Sequence, residues 1–237
     1  LSLGEPKHLN YHIISDAELA IGQVMKELRE MLRLVRMGLI VSYEAFKDKN
    51  YKKQIRISRI ETAVDNLQKE ITLYLVAVNE RTNADDIIQK IPALLHTVND
   101  IEKLGDFTED INRILNYQVP AQKHQLCPVF VKMIDDLHAK VIFMIDLSIE
   151  YLEELKIDYT YKIIEIEGRI NEQHQTLRDE VLRQIQNGDC DAAGGLNTID
   201  YLDGVEIIAD KLKNLVKAGS HNFIYSQDRE PMDESGD

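Results

Sequence analysis

The chain passes twice through the same helical pattern, and this repetition restricts it to a symmetric, helix-built scaffold. Apolar residues recur at spacings of three and four almost throughout, and almost no segment alternates with period two. In the first pass, Ser15-Asp16-Ala17-Glu18 opens a helix with Glu18 three residues after the cap. The stripe Ile21, Leu28, Leu32, Val35, Leu39 carries that helix to about Lys47. A second helix runs from about Tyr51 with Ile57, Ile60, Val64, Leu67, Ile71, Tyr74 and Val78 on one face. Asn83-Ala84-Asp85-Asp86 caps a third, which ends near Asn116, and Pro92 marks a kink or first-turn boundary in it.

Tyr117 to Pro128 has two prolines and no apolar period, so it reads as a connector, after which the pattern restarts. The fourth helix is expected over about Val129 to Leu155 and the fifth from about Asp158 to Asn187-Gly188. The sixth is expected to follow Gly194-Gly195 and to end at Gly219. The expected fold is therefore all-α, two tandem three-helix bundles of six long helices related by a pseudo-twofold repeat. Residues 1–15 form a lead-in, 16–117 the first repeat, 118–128 the connector, 129–219 the second repeat and 220–237 an acidic tail that reads as disordered. Gly22, Gly38, Gly168 and Gly204 mark expected close helix contacts.

Composition narrows the function. The 237 residues are 44% hydrophobic, enough for real cores, and carry a net charge of −13. The richest basic run is Lys47, Lys49, Lys52, Lys53, Arg56 and Arg59; it is interleaved with acids, so nucleic acid is not an expected partner. Cys127 and Cys190 lie far apart without a CxxC or zinc-spaced histidines, which predicts reduced packing thiols in a cytosolic setting. No apolar run approaches the roughly twenty residues that span a bilayer, and the N-terminus lacks a signal-peptide layout. The start at Leu1 rather than Met fits a piece excised from a longer protein.

Both passes place acidic side chains at i, i+4 beside an apolar stripe, where they stack above one another on a helix. The first pass carries Glu61/Asp65 and Glu102/Asp106/Asp110; the second carries Glu167/Asn171 and Glu206/Asp210. Two packed helices would bring the first four carboxylates together, and raised pKa values or a bound cation must relieve their repulsion. Oxygen-only ligation suits iron, manganese or magnesium, with zinc open. The bland alternative is a solvated acidic face, as most such pairs are. In the second pass Leu202 is read into the slot of Glu102 and Arg178 into that of Thr72. Arg178 could neutralise Glu167 and Glu206 without metal, His174 could add an imidazole, and Asp200 and Asp203 could supply oxygens.

The run Val98-Asn99-Asp100-Ile101-Glu102-Lys103-Leu104-Gly105-Asp106-Phe107-Thr108-Glu109-Asp110-Ile111 resembles the signature of PhoU-type regulators of phosphate uptake. The two-repeat layout agrees from Asp16 to Lys217. The resemblance implies a non-enzymatic regulatory domain acting on a phosphate transporter, with iron, zinc or another divalent metal cluster on the paired acids, and phosphate itself as a further candidate ligand. Ala17-Glu18-Leu19-Ala20 and the stretch Glu27 to Met37 are similar to the opening of PhoU-like domains appended to bacterial sodium/phosphate cotransporters. That likeness implies a position at the cytoplasmic face of the membrane, with the transmembrane part of the same polypeptide as partner. PhoU-like proteins are often dimers, which leaves a homodimer open.

Two other classes compete. A metal-free helical adaptor would use its acids only for solubility. A ferritin-like di-iron enzyme needs two Glu-x-x-His steps in one four-helix bundle, and within the six expected helices Asp135-x-x-His138 is the only acid-x-x-His step. There is no phosphate loop, nucleophile elbow or His-Glu-x-x-His.

Overall fold

The computed structural model describes residues 3–48, 51–116 and 126–220, and the expected acidic tail and most of the connector lie outside them. The helices are α1 (Ala17–Asp48), α2 (Gln54–Arg81), α3 (Asp85–Asn116), α4 (Pro128–Val131), α5 (Ile134–Glu154), α6 (Ile157–Asn187) and α7 (Ala192–Gly219). Short 3-10 turns at Tyr11–Ile13 and Tyr51–Lys53 precede α1 and α2.

The α1, α2 and α3 helices form one bundle and α5, α6 and α7 the other; they meet where α1 lies on α5 and α3 on α7. The expected apolar stripes are the buried ones: Leu28, Leu32, Ile60, Val64, Val98, Ile101, Ile145, Ile170, Val205 and Leu212 join a core that runs through both bundles. Ionic contacts fix the seam between the bundles. Arg36 donates to both oxygens of Asp146 at 2.6 and 3.1 Å, and Lys211 reaches the buried Asp100 at 2.7 Å. No described helix is long and apolar enough to cross a membrane.

Several boundaries differ from expectation for local reasons. Asp16, not Ser15, caps α1, accepting from the Leu19 N–H at 3.1 Å. The expected fourth helix is broken into α4 and α5 at Lys132 and Met133. Phe130 is fully buried edge-on against Tyr201, so the short α4 is anchored on α7 before the chain can turn into α5. Pro92 is accommodated inside a continuous α3. Gly194 and Gly195 lie within the first turn of α7, because Asp191 caps the helix by accepting from the Gly194 N–H at 2.7 Å. Of the four glycines expected at close contacts, Gly38 faces Thr108 and Gly204 faces Ile111, but Gly22 and Gly168 have open space beside them.

The cysteines are not packing thiols: Cys127 and Cys190 form a disulfide. The end of the connector folds over the α6–α7 turn and brings their Cα atoms to 5.4 Å, within bridging distance, in a small cluster with Val181 and Ile199. This removes the cysteine argument for a reducing compartment. The lead-in is packed rather than trailing: the backbone N–H groups of Lys7 and His8 both donate to the buried Glu27, and Gly4 lies on Ala63.

Candidate metal centre

The first-repeat acids sit where α2 and α3 run side by side. Ile60 and Val64 of α2 and Ile101 and Leu104 of α3 are buried at this crossing. A Cβ at Gly105 would lie 3.2 Å from Val64 Cγ1, so the glycine lets the two backbones approach closely. The residues one position from the buried ones then overhang the seam from both sides. Carboxylate oxygens of Glu61, Asp65 and Asp106 lie within 4.8 Å of one another. Glu102 stands half-buried beside them, close enough to feel the charge of Asp106 and Asp65.

Among the described residues, no lysine or arginine forms an ion pair with Glu61, Asp65, Glu102 or Asp106. The electrostatics record that deficit. Burial, then Asp65 and Glu109, hold the Glu61 carboxyl above its usual range. Burial and the charges of Asp106 and Asp65 do the same to Glu102, and burial with Asp65 and Asp110 to Asp106; Lys103 only partly offsets both. Asp110 stands apart from the cluster, its carboxylate held by Arg113 at 2.8 Å.

The second repeat uses the same scaffold differently. Gln68 donates to Asn99 at 3.1 Å between α2 and α3, and His174 pairs with Asp203 at 2.7 Å between α6 and α7. Taking these as equivalent fixes the register: Glu61 matches Glu167, Asp65 matches Asn171, Asp106 matches Asp210 and Glu109 matches Lys213. In this register Glu206, not Leu202, matches Glu102, and Leu202 is a core residue matching Val98, which corrects the sequence alignment of the repeats by one turn. Spacing along the sequence places Leu202 in that slot because neither helix shows from sequence where its partner touches it.

Around Glu167 the charges are closed. It is 7% exposed, and one of its oxygens accepts from Lys213 Nζ and from Asn171 Nδ2, both at 2.7 Å. Lys213 also reaches Asp210 at 2.7 Å, and Asn214 donates to Asp210 at 2.9 Å. Burial opposes the ammonium, yet its bonds to Asp210 and Glu167 hold the Lys213 pKa above its usual value. Arg178 donates to Asp203 at 2.8 and 3.1 Å rather than to Glu167 or Glu206. Burial tends to raise the Asp203 pKa, but the bonds from His174 and Arg178 outweigh it and hold the carboxyl low. Asp200 is exposed and adds its charge to the field at Arg113, and Glu206 is half-buried on α7.

Asp135 and His138 do not form a ligand pair. Asp135 is bound by the Tyr43 hydroxyl and by Lys47, while His138 stacks on the Tyr43 ring at 4.1 Å and is pushed down to about 4 by burial. His96 is exposed, 3.7 Å from Asp100. Sequence reasoning missed Lys213. Its signal was its place three residues after Asp210, one turn along the acidic face.

Residues 28–115 and 134–218 match the PhoU domain family. Over 163 residues the chain is 24% identical to the phosphate-specific transport system accessory protein PhoU homolog of Clostridium acetobutylicum, covering 68% of this chain and 72% of that protein. The fold is similar to the crystal structure of PhoU from Pseudomonas aeruginosa, with a TM-score of 0.78 and 16% identity over 86% of this chain and 97% of that one. It is also similar to the phosphate transport system regulatory protein PhoU from Streptococcus pneumoniae, with a TM-score of 0.76 and 13% identity over 87% of this chain and 96% of that one.

Proposed function

The chain belongs to the PhoU domain family, and from that membership we propose that it regulates phosphate transport through contact with a phosphate transporter, under the control of a cation held at the first-repeat carboxylates. The regulatory part rests on the family and on the Clostridium relative, whose name places it as an accessory to a phosphate-specific transport system. The transporter is either a separate protein or, as the likeness of the α1 segment to cotransporter-appended domains suggests, a membrane part of the same polypeptide. In either arrangement the domain lies at the cytoplasmic face and performs no chemistry of its own.

The observation that carries the cation is the convergence of Glu61, Asp65 and Asp106, none of them ion-paired to a lysine or arginine among the described residues. The donor set fits: three carboxylates from two helices, oxygen-only, suit an iron, manganese, magnesium or zinc ion. Glu61, Asp65 and Asp106 would hold it, with Glu102 adjoining, and its charge would neutralise the cluster. Filling the site would tie α2 to α3. Emptying it would leave like charges facing each other across the crossing at Gly105, next to the α3–α7 seam, and so alter the surface shown to the transporter.

The test is elemental analysis of protein purified without a metal-affinity step, beside Glu61→Ala/Asp106→Ala, combined with phosphate uptake in cells carrying each form. Divalent metal present in the wild type, lost in the variant and accompanied by deregulated uptake is the expected result. Unchanged metal content and unchanged uptake in the variant would remove the cation from the account.

A further inference from the structure

We infer that the second repeat carries its cation within the chain. The Lys213 ammonium, 2.7 Å from both Glu167 and Asp210, is a built-in counter-charge that occupies this acid site, and the residue at the one position shared by Glu109 and Lys213 decides which repeat takes metal. The inference deepens the proposed function and rests on its first-repeat cation site only for the contrast between the repeats.

Four observations lead to it. The register set by Gln68–Asn99 and His174–Asp203 puts Lys213 where the first repeat has Glu109. The side chains at these two positions bring opposite charges to equivalent partners: Glu109 adds a second negative charge to the field at Glu61, while Lys213 bonds Glu167 at 2.7 Å. The remaining differences work in the same direction. Asn171 replaces the carboxylate of Asp65 with a neutral amide and spends its N–H on Glu167. Finally, Arg178 and His174 occupy Asp203, so the neighbouring carboxylate that could have turned toward the site is already bound.

A divalent ion approaching Glu167 and Asp210 would meet an ammonium already at hydrogen-bond distance from both. It would have to displace that group from a side chain only 18% exposed. Oxygen-preferring cations need a set of available carboxylates, and here one ligand has become an amide and its neighbour a cation. The second repeat thus keeps a fixed geometry whatever the metal supply, while the first changes charge as its ion comes and goes. A cation signal would enter through one half of the molecule only.

The test is equilibrium binding of manganese to the full chain, followed by calorimetry and electron paramagnetic resonance. The forms compared are the wild type, Glu61→Ala/Asp106→Ala, and Lys213→Glu/Asn171→Asp, the last also made in the Glu61→Ala/Asp106→Ala background. The expected result is wild-type binding that disappears in Glu61→Ala/Asp106→Ala, with new binding gained by Lys213→Glu/Asn171→Asp and kept in the combined variant. New binding in that variant from a wild type that binds none would uphold the Lys213 inference while removing the first-repeat reading. Wild-type binding that survives Glu61→Ala/Asp106→Ala but vanishes in a further variant, Glu167→Ala/Asp210→Ala, would overturn the inference, as would a folded Lys213→Glu/Asn171→Asp that gains nothing. Should that variant not fold, Glu109→Lys supplies the reverse experiment, giving Glu61 the partner that Glu167 has. Manganese affinity at least ~10-fold weaker is expected, and unchanged affinity would overturn the inference.

Discussion

The two repeats each pack three long helices against a shared core, yet they balance the acids at the edge of that core in opposite ways. In the first, Glu61, Asp65 and Asp106 converge without an ion-pair partner among the described residues, and the pKa values of Glu61 and Asp106 are raised. In the second, Glu167, Asp210 and Asp203 are each bound by a cationic side chain, and Asp203 is lowered. A duplicated scaffold can therefore keep one half responsive to an external cation and make the other self-contained, and the exchange of Glu109 for Lys213 carries most of that difference.

The largest effect should come from breaking the internal pair. Lys213→Met leaves Glu167 nearly buried without its counter-charge and should cost about 3–5 kcal/mol in urea unfolding, whereas Glu109→Gln in metal-free protein should cost nothing or stabilise. Equal losses at the two positions would break the comparison. The disulfide comes next, since it fastens only the second repeat and closes a 63-residue separation. Cys127→Ser/Cys190→Ser should lower stability by about 2–4 kcal/mol and leave first-repeat manganese binding intact.

Smaller still is the helix crossing. Gly105→Ala puts its methyl 3.2 Å from Val64 and should destabilise by about 1 kcal/mol. Gly204→Ala meets Ile111 only at 3.6 Å and should stabilise by about 0.5–1 kcal/mol, since alanine favours the helix. Thermal melts of both single variants decide whether the α2–α3 crossing is packed more tightly than the α3–α7 seam.

Acid should separate the repeats by sign. Glu61, Glu102 and Asp106 have raised folded pKa values, so their contribution to metal-free stability is fully present below the ordinary carboxylate values and is lost as pH rises through the raised ones. Asp203 is lowered, so its contribution is present above the ordinary aspartate value and is lost as pH falls through the folded value beneath it. Mild acidification of metal-free protein should therefore relieve the first repeat before it harms the second. Glu61→Gln/Asp106→Asn should flatten the slope just above the ordinary carboxylate range, as read by denaturant midpoints across pH.

Much of the architecture is legible in the sequence because burial and helical period coincide. Stripes such as Ile57, Ile60, Val64, Leu67 and Ile71 are both the pattern and the core. The first-repeat acids are legible for the same reason: Glu61 and Asp65 lie one position from buried Ile60 and Val64, so the stripe dictates their place at the seam. What the sequence hides depends on how helices meet. The register of α7 against α6 is set by the His174–Asp203 contact, and no local pattern shows it, so spacing alone aligns Leu202 with Glu102. Lys213 looks like any solvating lysine three residues from an aspartate until α6 brings Glu167 to it. Cys127 and Cys190 follow no short spacing and pair only because α4 is folded back onto the α6–α7 turn.

The central claim, that the first repeat takes an external cation and the second does not, is tested most directly by adding manganese to methyl-labelled protein and mapping the paramagnetic broadening. The account predicts loss of signal around the Glu61, Asp65 and Asp106 cluster, at Ile60, Val64 and Ile101, with Ile170, Val205 and Ile208 beside Glu167 and Asp210 unaffected. Broadening centred on Ile170 and Val205, or spread equally over both groups, would contradict it.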